Sequence, residues 1–99
     1  MKGISSSEFY DKLYYGADID LCYHSVFYHI CAGYEDGSLH SITVYEYDKN
    51  PDTKPSYYKE IYSKSNFDVA KNIGAFLNSE IFCKRRLKDI ESEIEVIYS

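Results

Sequence analysis

Residues 19–47 read IDLCYHSVFYHICAGYEDGSLHSITVYEY. Three short runs rich in β-branched and aromatic residues, divided by two turn signals, make this stretch an antiparallel sheet laid out strand after strand. Glu35-Asp36-Gly37-Ser38 centres on Asp-Gly, the pair that best accepts the positive φ angles of a two-residue hairpin turn. Such a turn sets Tyr34 opposite Leu39, Cys31 opposite Ile42, His29 opposite Val44, Tyr28 opposite Tyr45 and Phe27 opposite Glu46. A second turn at His24-Ser25, without Gly or Asn, pairs Tyr23 with Val26, Leu21 with Tyr28 and Asp20 with His29.

This register divides the side chains into two faces, because neighbours along a strand point to opposite sides. One face holds Ile19, Leu21, Tyr23, Val26, Tyr28, Ile30, Ala32, Tyr34, Leu39, Thr43, Tyr45 and Tyr47, and is expected to lie under helices. The other holds Asp20, Cys22, Phe27, His29, Cys31, His40, Ile42, Val44 and Glu46. Phe27, Cys31, Ile42 and Val44 would there form an apolar strip, either open to solvent in a monomer or covered in a homodimer.

Outside the sheet the signals are helical. Ser5 with Glu8 three residues later forms a capping box, Phe9 and Leu13 share a face, and Gly16 supplies the stop. After Tyr47 the polar segment from Asp48 to Ser56 carries both prolines, which rules out a central strand there. Tyr57 to Ser63 reads as a fourth strand at an edge. Ser65 and Asp68 offer a second cap, followed by Val69, Ile73, Phe76 and Leu77 at helical spacing. Leu87, Ile90 and Ile94 mark a third, shorter helix from about Arg85, whose end turns towards strand at Glu95 to Tyr98. That helix carries Lys84, Arg85, Arg86 and Lys88 at its start and Asp89, Glu91, Glu93 and Glu95 towards its end, against the preference of the helix dipole.

The chain has 99 residues, 44% of them apolar, enough for one core and one domain over residues 1–99. A formal charge of −5 argues against general affinity for phosphate backbones. Residues 1–83 hold twelve acidic against seven basic residues and residues 84–99 balance four against four, so the excess lies before Lys84. The three cysteines, Cys22, Cys31 and Cys83, have no C-x-x-C spacing, and Cys22 and Cys31, which are not opposite one another in this register, are expected to stay reduced. No run approaches the ~18 apolar residues of a membrane span, and a cytoplasmic location is the default expectation.

No motif for nucleotides, serine nucleophiles or metals is present, and neither a cofactor nor a metal is expected. His24, His29 and His40 do not have the spacing of a ligand set. Asp20 opposite His29, with Cys22 and Cys31 on the same face, is the one grouping that resembles catalytic machinery, and it lacks oxyanion donors and a pocket. The twelve tyrosines, against no tryptophan, supply rigid contact area with a hydroxyl for rim hydrogen bonds. Tyr57, Tyr58 and Tyr62 are the expected contact cluster.

Phe76-Leu77-Asn78-Ser79-Glu80-Ile81-Phe82, followed by Arg86-Leu87-Lys88-Asp89-Ile90 and by Ile94-Glu95-Val96-Ile97, resembles the close of small uncharacterised single-domain proteins of Firmicutes and their phages. Those proteins also begin with a short helix and a tyrosine-rich hairpin sheet. They commonly read Asp-Gly-Lys where this chain has Cys83-Lys84-Arg85. The resemblance implies a relation in kind to inhibitors of bacterial defence enzymes, including anti-CRISPR proteins that imitate nucleic acid. Carboxylates would then occupy the basic channel of a nuclease, with Glu35, Asp36, Glu46, Asp48, Asp52 and the series Asp89, Glu91, Glu93 and Glu95 as candidates.

The expectation is therefore an α+β domain of order α-β-β-β-β-α-α, a four-stranded antiparallel sheet with helices on one face. The expected function is a non-enzymatic inhibitor or adaptor that binds a protein partner, through Glu35, Asp36, Glu46, Asp48, Asp52, Tyr57, Tyr58 and Tyr62. An immunity-type protein that neutralises a toxin is one alternative. A small enzyme or ligand-binding protein using the Asp20 and His29 face is the other.

Overall fold

The computed structural model describes residues 1–47 and 59–98. In chain order the elements are α1 (Ser6–Tyr15), β1 (Asp18–Tyr23), β2 (Val26–Glu35), β3 (Leu39–Tyr47), β4 (Lys59–Asn66), α2 (Val69–Asn78), α3 (Leu87–Ile90) and β5 (Glu95–Tyr98). The class is α+β. The strands form one antiparallel sheet in the order β4-β3-β2-β1-β5.

Local chemistry accounts for the helices. The Ser5 hydroxyl accepts the Glu8 amide at 3.1 Å to start α1, and Gly16, at φ 89°, ends it with its N–H donating to the Lys12 carbonyl. An ideal Cβ on Gly16 would lie 3.2 Å from the Gly33 Cα, so this turn and β2 approach closely. Asp68 caps α2 by accepting from the Lys71 amide. Phe9 and Leu13 of α1, Ile73 and Phe76 of α2 and Leu87 and Ile90 of α3 join Ile19, Leu21, Tyr28, Ile30, Ile42, Val44 and Tyr62 in one buried cluster.

The first hairpin has the expected register, with Asp20 opposite His29, Leu21 opposite Tyr28 and Tyr23 opposite Val26. Its turn residues adopt positive φ without Gly, at 50° for His24 and 66° for Ser25. Stacking of the His24 ring on Tyr23 at 4.1 Å and its contact with Glu93 at 3.2 Å offset that strain.

The second hairpin is one residue out of the expected register. Asp36 and Gly37 do take positive φ, and the Ser38 N–H closes the turn onto the Glu35 carbonyl. The ladder nevertheless pairs Glu35 with Leu39, Tyr34 with His40, Ala32 with Ile42 and Ile30 with Val44, which leaves Ser38 as an extra residue. A one-residue slip turns a whole strand over. Ile42 and Val44 therefore lie buried under the helices of the same chain and contribute nothing to an open apolar strip. Thr43, Tyr45 and Tyr47 take the other face, where Tyr45 stands opposite His29. Burying two β-branched aliphatic side chains is worth about 1.5–3 kcal/mol each, more than a turn preference decides.

Among the described residues the sheet has five strands, not four, and the element order ends in a strand. Glu95–Tyr98 pairs with β1, with a bulge that leaves Ile97 unmatched between Val96 and Tyr98. Lys2 bridges the outer side of β5, its carbonyl accepting from Val96 and its N–H donating to Ile94. Gly3 follows at φ 97°, where a Cβ would sit 2.4 Å from the Val96 carbonyl oxygen. The third helix is a single turn continued by a 3-10 turn, Glu91–Glu93. Its charge order is therefore no conflict: so short a helix builds little dipole, and Arg86 instead pairs with Asp89 at 2.7 Å. In β4 a bulge at Ile61 sets Tyr62 against Val44, so Tyr62 points into the core.

Candidate functional site

The open face of the sheet gathers polar side chains from β1, β2 and β3. His29 Nδ1 lies 2.7 Å from Asp20 Oδ1. Because a carboxylate accepts only, Nδ1 is the donor, and in the neutral imidazole Nε2 is then the nitrogen with the lone pair. The Tyr47 hydroxyl donates to the same Asp20 oxygen at 2.9 Å. Asp20 and His29 are mostly buried, at 14% and 21% side-chain exposure, so the pair is held in place.

Two rungs along the ladder, and so on the same face, Asp18 stands opposite Cys31. An Asp18 carboxylate oxygen, a His29 ring nitrogen and Cys31 Sγ all lie within 4.8 Å of one another. Asp18 is exposed and the other two are half-buried. Burial, with the charges of Asp18 and Asp20 adding to it, pushes the Cys31 thiol up to about 11. Cys31 is thus protonated at neutral pH, whereas a nucleophilic cysteine needs its pKa lowered. Burial likewise raises Cys22, on the same face. Asp18 was absent from the sequence-based candidates. Extending the Asp20–His29 register by two rungs, to the next pair on the same face, finds it.

The three histidines do not converge. His24 sits in the first turn beside Glu93. His40 is fully buried on the helix side, where Nε2 donates to the Leu13 carbonyl at 2.7 Å and Nδ1 accepts from Asn72 Nδ2 at 2.9 Å.

A second surface carries tyrosines. Among the described residues, four of the five exposed large hydrophobic side chains are Tyr10, Tyr14, Tyr15 and Tyr34. Tyr10 and Tyr14 are four apart on α1, which stacks them on one stripe, and Tyr14 and Tyr15 meet edge to face at 5.1 Å. Tyr34, at the end of β2, donates its hydroxyl to the Tyr14 carbonyl. Exposed Asp11 and the hairpin-tip residues Glu35 and Asp36 flank this group.

Of the expected partner-binding residues, Glu35 and Asp36 are exposed together at that tip, while Glu46 is half-buried opposite Tyr28. Asp48, Asp52, Tyr57 and Tyr58 lie outside the described residues. Tyr62 is 9% exposed, 5.8 Å from the Phe76 ring, and among the described residues its buried hydroxyl makes no well-formed hydrogen bond, with Ser79 its one weak polar neighbour. The surface tyrosines were therefore legible as a composition but not as positions. Tyr10 and Tyr14 had the visible signal, since they lie beside the Phe9 and Leu13 stripe rather than in it.

A third feature is an open depression of about 470 Å³ lined by Asn78, Glu80, Lys84, Arg85, Arg86 and Asp89. Positive φ at Cys83 and Lys84 makes the tight turn that presents it. Glu80 and Asp89 offset much of its positive charge. No helix is long and apolar enough to cross a membrane among the described residues. Comparison with protein-family models, curated proteins and solved structures returns no match for this chain.

Proposed function

We propose that the chain is a non-enzymatic inhibitor or adaptor that binds a protein partner through Tyr10, Tyr14, Tyr15 and Tyr34, with Asp11, Glu35 and Asp36 around them. The observation that carries this reading is the exposure of those four tyrosines side by side on α1 and the end of β2. Tyrosine brings large apolar area at low entropic cost, and exposed aromatic groups ringed by polar residues are the usual anatomy of a contact surface. The protonated state of Cys31 weighs against the alternative of catalysis at Asp20 and His29.

The acidic excess of the chain fits a partner with a basic groove. A nucleic-acid enzyme of bacterial defence is the partner class proposed. Long-range attraction would then speed association and make it sensitive to salt. The test is association with purified defence nucleases, free and loaded with nucleic acid, from low salt to about 0.5 M, where the screening length is a few ångströms. Binding to the free form, with an on-rate that falls steeply with salt, is expected. Equal binding to both forms with a flat salt response would refute the mimic reading.

A further inference from the structure

We propose that Asp18, His29 and Cys31 form a three-donor site for a zinc ion on the open face of the sheet, with Asp20 and Tyr47 orienting the histidine. The donors belong to two successive same-face pairs of one ladder, Asp18 opposite Cys31 and Asp20 opposite His29, with the Ile19–Ile30 pair between them turned to the other face. The hydrogen-bonded frame of β1 and β2 therefore fixes their Cα positions before any ion arrives. Zinc bonds of about 2.0–2.3 Å in tetrahedral geometry place donor atoms roughly 3.3–3.7 Å apart. A carboxylate oxygen of Asp18, a ring nitrogen of His29 and Cys31 Sγ already lie within 4.8 Å of one another, so closing the site calls for side-chain rotation rather than movement of the backbone.

The second layer is what separates this cluster from a chance meeting of polar groups. Metal-binding histidines commonly donate their other ring N–H to a carboxylate, which fixes the tautomer and ring orientation. His29 does this to Asp20 at 2.7 Å, and Asp20 is itself held by the Tyr47 hydroxyl at 2.9 Å. Nε2 is then the nitrogen with a lone pair to give. One sulfur, one imidazole and one carboxylate suit a borderline-soft ion, whereas magnesium and calcium favour oxygen donors throughout. Two carboxylates on one small patch also favour a dication there. On binding, a Zn–S bond forms and the thiol proton passes to solvent. Three protein donors leave a fourth position for water or a partner side chain, and exposed Asp18 opens the site on its side.

The test is titration of metal-stripped protein with cobalt(II), followed by displacement with zinc. One equivalent should give a thiolate-to-cobalt charge-transfer band with the visible bands of a tetrahedral ion, and zinc should abolish both. Cys31→Ser should remove the charge-transfer band, while a variant carrying both Cys22→Ser and Cys83→Ser should keep it. Asp20→Asn should retain the band and weaken binding by about 10–100-fold, the usual effect of losing an outer-shell partner. Should Cys31→Ser unfold by circular dichroism, Asp18→Asn, at an exposed position, carries the same test through loss of affinity. No band in the unmutated protein, a band that survives Cys31→Ser, or one lost with Cys22 and Cys83 would overturn the site. An unchanged affinity in Asp20→Asn would overturn the orienting role.

Discussion

Asn72→Ala should destabilise the protein by about 2 kcal/mol, although the residue is a polar side chain in the middle of a helix. Asn72 is 3% exposed and its amide donates to His40 Nδ1 at 2.9 Å and to the His40 carbonyl at 3.1 Å. His40 in turn donates from Nε2 to the Leu13 carbonyl, one of the last carbonyls of α1, which lack a partner within the helix. The chain of contacts thus ties α2 to β3 and β3 to the end of α1. Removing the Asn72 amide strands a buried imidazole nitrogen, at about 1–3 kcal/mol, while alanine returns a few tenths in helix propensity. For a domain of this size that is a fall in Tm of roughly 8–16 °C. Urea denaturation followed by circular dichroism would measure it, with an unchanged m-value showing that the unfolded state is the same. A cycle with His40→Leu should give a coupling of about 0.5–3 kcal/mol. A loss under about 0.5 kcal/mol for Asn72→Ala, or strict additivity with His40→Leu, would refute the network.

Tyr62→Phe should be neutral or stabilising by up to about 1 kcal/mol, because among the described residues the buried hydroxyl makes no well-formed hydrogen bond and has only Ser79 as a weak neighbour; a marked loss of stability in the same denaturation assay would show that the Ser79 contact is a real bond. Stability should decline as pH rises from about 9 to about 11, because Cys31 ionises at the usual 9.0 when unfolded and only at about 11 when folded. Below pH 9 the thiol is protonated in both states and contributes no pH dependence, so Cys31→Ser should flatten only the alkaline part of the curve, and equal alkaline slopes in the two proteins would contradict this. His29→Gln should leave partner binding intact, since His29 lies on the open face while Tyr10 and Tyr14 lie on α1; loss of binding in a folded variant would move the function to the open face.

What the sequence made legible was the local chemistry. The cap at Ser5, the stop at Gly16 and the Phe9 and Leu13 stripe depend on neighbours a few residues apart, and each stands as expected. The first hairpin was legible because the alternation in Ile19, Leu21 and Tyr23 and in Tyr28 and Ile30 agrees with its turn. In the second, the Asp-Gly signal and the alternation disagreed. Ile42 and Val44 demand burial, and the extra residue Ser38 reconciles that demand with the turn. The fifth strand escaped notice as part of the sheet because its partner is β1, more than seventy residues earlier, and periodicity does not say which edge a strand joins. His40 and Asn72 were invisible for a similar reason: each is polar, and only the fold shows that their partners are each other. At the open face the Asp20 and His29 pair was legible from register, while Asp18 waited two rungs further along the same ladder.

The claim that bears most on function is that the protein acts through the tyrosine surface of α1 and the β2–β3 turn. Hydrogen–deuterium exchange of the complex with a bound nuclease, compared with the free protein, tests it directly. Protection confined to residues 10–15 and 34–38 is the predicted result. Protection instead around residues 84–89, or along the open face at residues 18–31, would contradict it.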